Sequence, residues 1–117
     1  MSKTSKIQIV VGLDDQNIPE RIYWMSDDAS QSKPMEAKGL LVSIFEKETM
    51  DTLKLDIWTK EMQVMEMDRF MFQTLNALCD TYLKATNNVQ LSNEFKSFVN
   101  HFGLNTETIR PETDHSS

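Results

Sequence analysis

The chain has 117 residues, enough for one core, and its formal net charge of -6 at pH 7 argues against nucleic acid or an anionic membrane as its partner, since phosphate binding needs a basic face. Cys79 stands alone, so no internal disulfide forms, and no apolar run approaches the roughly 18 residues that cross a bilayer. The opening MSKTSKIQIVVGLDD reads as a strand and not as a signal peptide, and the expectation is a cytoplasmic protein with no membrane insertion.

In chain order, Ile7, Ile9, Val11 and Leu13 alternate with Gln8, Val10 and Gly12, the period of a strand. Asp14, Asp15, Gln16, Asn17 and Pro19 supply turn chemistry, and Glu20 to Met25 follows as a second strand with Ile22 and Trp24 inward and Tyr23 outward. Residues 26–38 are polar, carry one proline and have no apolar period, which predicts a mobile surface loop. Gly39 to Lys47 is a third strand, apolar on both faces, and EKETMD turns it into Thr52 to Thr59. There Leu53, Leu55 and Ile57 form a buried face, while Lys54, Asp56 and Trp58 lie on the wet one.

From Val64 to Thr86 the apolar residues Val64, Met67, Met71, Leu75, Leu78, Tyr82 and Ala85 recur at helical spacing, with Asn87 and Asn88 suited to a left-handed stop. Leu91, Phe95, Phe98, Val99 and Phe102 predict a second, shorter helix, with Ser92 offering an N-cap and Gly103 ending it. Strands followed by helices indicate an α+β fold: a four-stranded antiparallel sheet, built from two hairpins, with two C-terminal helices packed on one face. Residues 1–104 form the single expected domain and residues 105–117, with one aliphatic side chain, a flexible tail.

Nothing in the sequence assembles catalytic chemistry. His101 sits at a helix end and His115 in the tail, Cys79 reads as a structural thiol, there is no Cys or His pair for a metal, and the three glycines are scattered where a phosphate loop would need them together. The expectation is a non-enzymatic protein without catalytic residues, cofactor or metal. The outward sheet face, with Tyr23, Phe45, Lys54, Asp56 and Trp58, is unusually aromatic for a surface that meets only water, and these five residues are the candidate partner-binding set. The alternatives are a homodimer formed through that face or an exposed strand edge, and a small ligand held between sheet and helices.

Ile22-Tyr23-Trp24 after Pro-Glu-Arg, then TLKLDIWTKEM at 52–62, Arg69-Phe70 and LCDTYLKAT at 78–86 resemble the gliding motility-associated protein GldC family of the Bacteroidota, over roughly residues 1–103. Gln63 stands where the family pattern often carries a proline. The resemblance implies a small accessory protein of the gliding apparatus without enzymatic activity, whose partner is another protein. It supplies no active-site residues.

Overall fold

A computed structural model of the chain describes residues 2–27 and 33–111, in the order β1 (Ile7–Leu13), β2 (Pro19–Ser26), β3 (Met35–Ala37), β4 (Gly39–Phe45), β5 (Thr52–Trp58), α1 (Val64–Thr86) and α2 (Val89–Asn105). It divides into two compact units, Met1–Met62 and Gln63–Ser117. The α+β class holds, with both helices after all the strands.

Both expected hairpins form in the first unit. β1 pairs with β2 from Ile7↔Ser26 to Gly12↔Arg21, and β4 with β5 from Gly39↔Trp58 to Phe45↔Thr52, all antiparallel. The turn after β1 is built on Asp14, whose Oδ1 accepts the N–H groups of Gln16 at 2.8 Å and Ile18 at 3.0 Å, with Asn17 left-handed at φ 65°. The turn after β4 is closed by Glu46 N–H on the Asp51 carbonyl and by Thr49 Oγ1 on the Glu46 carboxylate, with Met50 left-handed.

The single four-stranded sheet does not form. The strands make a three-stranded sheet in the order β1-β2-β3 and a separate two-stranded sheet, β4-β5. Part of the expected loop is the reason: Met35 and Ala37 pair with Trp24 and Ile22, occupying the second edge of β2. The chain then passes from one sheet to the other at Lys38, whose carbonyl accepts the Thr59 N–H at 2.9 Å. The remainder of that loop, residues 28–32, lies outside the described residues. Ile22 is the most buried apolar side chain of this unit, at 1% exposure.

The second unit is a helical hairpin. α1 begins where the Gln63 N–H finds the Glu66 carboxylate at 3.0 Å, the reach-back half of a capping box. It ends at Asn87, left-handed at φ 57°, whose N–H donates to the Leu83 carbonyl. α2 starts earlier than expected, because Asn88 and not Ser92 is its cap: Asn88 Oδ1 accepts the Leu91 N–H at 3.0 Å, and Ser92 is buried inside the helix.

Across the hairpin, Lys96 Nζ donates to Asn76 Oδ1, and Gly103 lies against the Phe72 ring, so the helices run antiparallel. Val99 and Cys79 are the most buried apolar side chains here, and desolvation raises the Cys79 pKa, which keeps it a neutral thiol. Val64, in the first turn of α1, is largely exposed.

The end of α2 corrects a second expectation. Gly103 does not stop the helix; the stop comes at Thr106, followed by a left-handed Glu107 at φ 60°. The N–H groups of Glu107 and Thr108 return to the carbonyls of Leu104 and Gly103, at 3.2 and 2.9 Å, which is the Schellman arrangement. Residues 106–109, within the stretch expected to fray, are therefore bonded to α2, while residues 112–117 lie outside the described residues.

Candidate functional site

Strand alternation and the hairpin register decide which side chains meet on β4-β5. Thr52, Lys54, Asp56 and Trp58 share a face with their cross-strand partners Phe45, Ser43, Leu41 and Gly39. Four of the five candidate residues, Phe45, Lys54, Asp56 and Trp58, are thus brought onto one face. Tyr23 is not: it lies on β2 in the three-stranded sheet, opposite Val10 and Glu36, half-buried, where its hydroxyl accepts the Arg21 guanidinium at 2.8 Å. The outward surface expected to be continuous is divided because the sheet itself is divided.

Along the face, Phe45 marks one end at 68% exposure and Trp58 the other at 50%. Trp58 lies six positions along β5 from Thr52, the partner of Phe45, which at about 3.3 Å per residue spaces the two aromatics by about 20 Å. Lys54 and Asp56 form an ion pair between them, and the hydrogen bond from the Lys54 ammonium holds the Asp56 carboxyl below its ordinary value. Gly39 opposite Trp58 contributes no side chain, so that flank of the indole has no cross-strand cover.

At the Trp58 end, Trp58, Ile57 and Asp56 line an open depression of about 300 Å³ with Ile18 and Pro19. Sequence reasoning assigned Pro19 to a turn, did not single out Ile18, and saw no site there. The structure shows how that turn is fixed: Lys60, two residues past Trp58, donates to Asp14 Oδ2 at 2.7 Å, tying the β1–β2 turn to the end of β5. The Lys60 hydrogen bond, with the Ile18 and Gln16 N–H groups, lowers the Asp14 pKa to about 2. Asp14 is therefore an anion throughout the physiological range. Thr59, between Trp58 and Lys60, is buried with its hydroxyl unpartnered among the described residues, an arrangement that costs stability.

The face presents a half-exposed indole beside an apolar depression, a charge pair, and a second exposed ring farther along. Tryptophan carries a disproportionate share of binding energy when a partner desolvates it. Among the described residues, no three or more His, Cys, Asp and Glu side chains are grouped to hold a metal ion, and no helix is long and apolar enough to cross a membrane.

The family described as "Gliding motility-associated protein GldC-like" matches this sequence over residues 19–108. The chain belongs to the GldC-like family. The matched stretch contains Tyr23, Phe45, Lys54, Asp56 and Trp58, and it begins at Pro19, in the wall of the depression. No curated protein and no solved structure matches the chain.

Proposed function

We propose that this GldC-like chain is a non-enzymatic, cytoplasmic accessory protein of the gliding apparatus of a member of the Bacteroidota, and that it works by binding another protein of that apparatus through the β4-β5 face. Trp58 carries the reading: its indole is 50% exposed at the mouth of a depression whose other apolar walls are Ile18, Pro19 and Ile57. A partner residue entering there would bury indole, isoleucine and proline together, while the Lys54–Asp56 pair offers a donor and an acceptor at the edge. Membership of a gliding-motility-associated family supports the cellular setting.

The experiment is capture from the native bacterium with tagged wild type, Trp58→Ala and Trp58→Phe, with Glu48→Ala in the β4–β5 turn as an exposed control, followed by mass spectrometry. The reading expects a partner held by wild type and Glu48→Ala, weakened by Trp58→Phe and lost with a folded Trp58→Ala. A partner captured equally by all four proteins contradicts the assignment of the face.

A further inference from the structure

The three-stranded sheet has β1 at an edge, and the ladder fixes which of its backbone groups face outward. The Asp27 N–H donates to the Lys6 carbonyl just before the strand, and the Asp14 N–H to the Ile18 carbonyl just after it. An antiparallel ladder bonds alternate residues, so Gln8, Val10 and Gly12 turn their N–H and C=O towards β2, and Ile7, Ile9, Val11 and Leu13 turn theirs away. No hydrogen bond reaches those outward groups among the described residues.

Edge strands of monomers are normally blunted by brevity, charge, proline or a bulge. β3 is three residues long, β5 carries Lys54 and Asp56, and β4, GLLVSIF, is uncharged but half-buried from Gly39 to Val42, whereas β1 is exposed along nearly its whole length. β1, IQIVVGL, has no charged residue and no proline, and the register shift beside Gly12 places the extra residue, Glu20, on β2. Its side chains are exposed on both faces: Ile7 at 70%, Ile9 at 41%, Val10 at 48% and Leu13 at 52%.

We propose that this edge is an interface with a second copy of the chain, the two β1 strands pairing antiparallel about a twofold axis at Val10. Outward residues must meet outward residues, and the register that engages all four pairs Ile7 with Leu13 of the second copy and Ile9 with Val11, each pair twice by symmetry. Val10 then faces its own copy. Apolar side chains meet apolar ones along the strand, and beyond its ends the same register sets Lys6 opposite Asp14 and Ser5 opposite Asp15, so no like charges are apposed. That complementarity selects a second copy as the occupant: at this edge two copies of an acidic chain meet without apposing like charges. The inference is independent of the Trp58 face.

Sedimentation velocity of the full chain at tens of micromolar is expected to give twice the 13.6 kDa monomer mass. Ile9→Pro removes an outward N–H that the β2 ladder does not use, and is expected to give a monomer with unchanged far-UV circular dichroism. Lys6→Glu, exposed and outside the strand, is expected to weaken the dimer roughly tenfold, about 1.4 kcal/mol. Under mild oxidation, Val10→Cys is expected to cross-link the dimer through residues directly opposite one another, and Gln8→Cys to cross-link far less; wild type controls for the buried Cys79. A wild-type monomer overturns the proposal and leaves the edge to a strand of another protein. A dimer unaffected by both Ile9→Pro and Lys6→Glu, or cross-linked equally at positions 8 and 10, overturns it too.

Discussion

Gly103→Ala tests the packing of the helical hairpin, because two opposing terms of known size meet at one atom. A Cβ at Gly103 would lie 2.6 Å from Phe72 Cε1, 2.9 Å from Phe72 Cδ1 and 2.9 Å from Ile109 Cγ1, where carbon atoms prefer about 3.5 to 4.0 Å. The ring and the bonded turn holding Ile109 must both retreat, an overpacking that costs about 1 to 3 kcal/mol. Against this, alanine inside a helix is favoured over glycine by about 1 kcal/mol. The expected net effect is a destabilisation of about 1 kcal/mol, read by urea denaturation at the helical far-UV signal. In a Phe72→Leu background the ring edge is gone while the Ile109 contact remains, and the same Gly103→Ala change should cost less than in the wild type. Equal effects in both backgrounds, or a wild-type protein stabilised by the full helix-propensity term, would refute the close contact.

Three further outcomes follow from single groups. Glu107→Gly relieves a left-handed backbone at the Schellman position and should stabilise the protein by about 1 kcal/mol in the same denaturation assay. Ser92→Ala removes a buried hydroxyl with no partner among the described residues and should raise stability by about 1 kcal/mol, whereas a loss of that size would mean the hydroxyl has a partner. For Asp14, with its folded pKa near 2 and its ordinary value at 3.8, the ion pair with Lys60 contributes stability that is fully present above pH 3.8 and is lost as pH falls towards 2. Asp14→Asn should flatten acid unfolding in that window while a neutral-pH circular dichroism spectrum stays native.

How much of this was legible in the sequence depended on whether the cause was local. α1 matches its predicted span, Val64 to Thr86, because a long amphipathic period and an Asn-Asn stop are both read from neighbours in sequence. The two hairpins were legible for the same reason. β3 was not, since Met35–Ala37 is too short to show a period, and without it nothing signalled that β2 had a second partner or that the sheet would divide at Lys38. Ser92 and Gly103 each have the residue type of a helix boundary, yet Ser92 is buried within α2 and Gly103 lies against Phe72 of α1, and Asn88 and Glu107 hold the boundary positions instead. For the candidate site, strand alternation placed Lys54, Asp56 and Trp58 on one face, but the opposite face is not buried as expected: Leu53 is 60% and Leu55 47% exposed. Ile18 and Pro19 reach them through the tertiary Asp14–Lys60 pair, 46 residues apart, and Tyr23 is separated from them by the same division of the sheet.

The central claim is that the chain serves gliding by binding a protein partner at Trp58. The most direct measurement is colony spreading of the native bacterium after chromosomal replacement of Trp58 by Ala, with protein level checked by immunoblot and Glu48→Ala as the control strain. The account predicts loss of spreading at an unchanged protein level, with the control strain spreading normally. Normal spreading by a Trp58→Ala strain that holds the protein at wild-type abundance would contradict it.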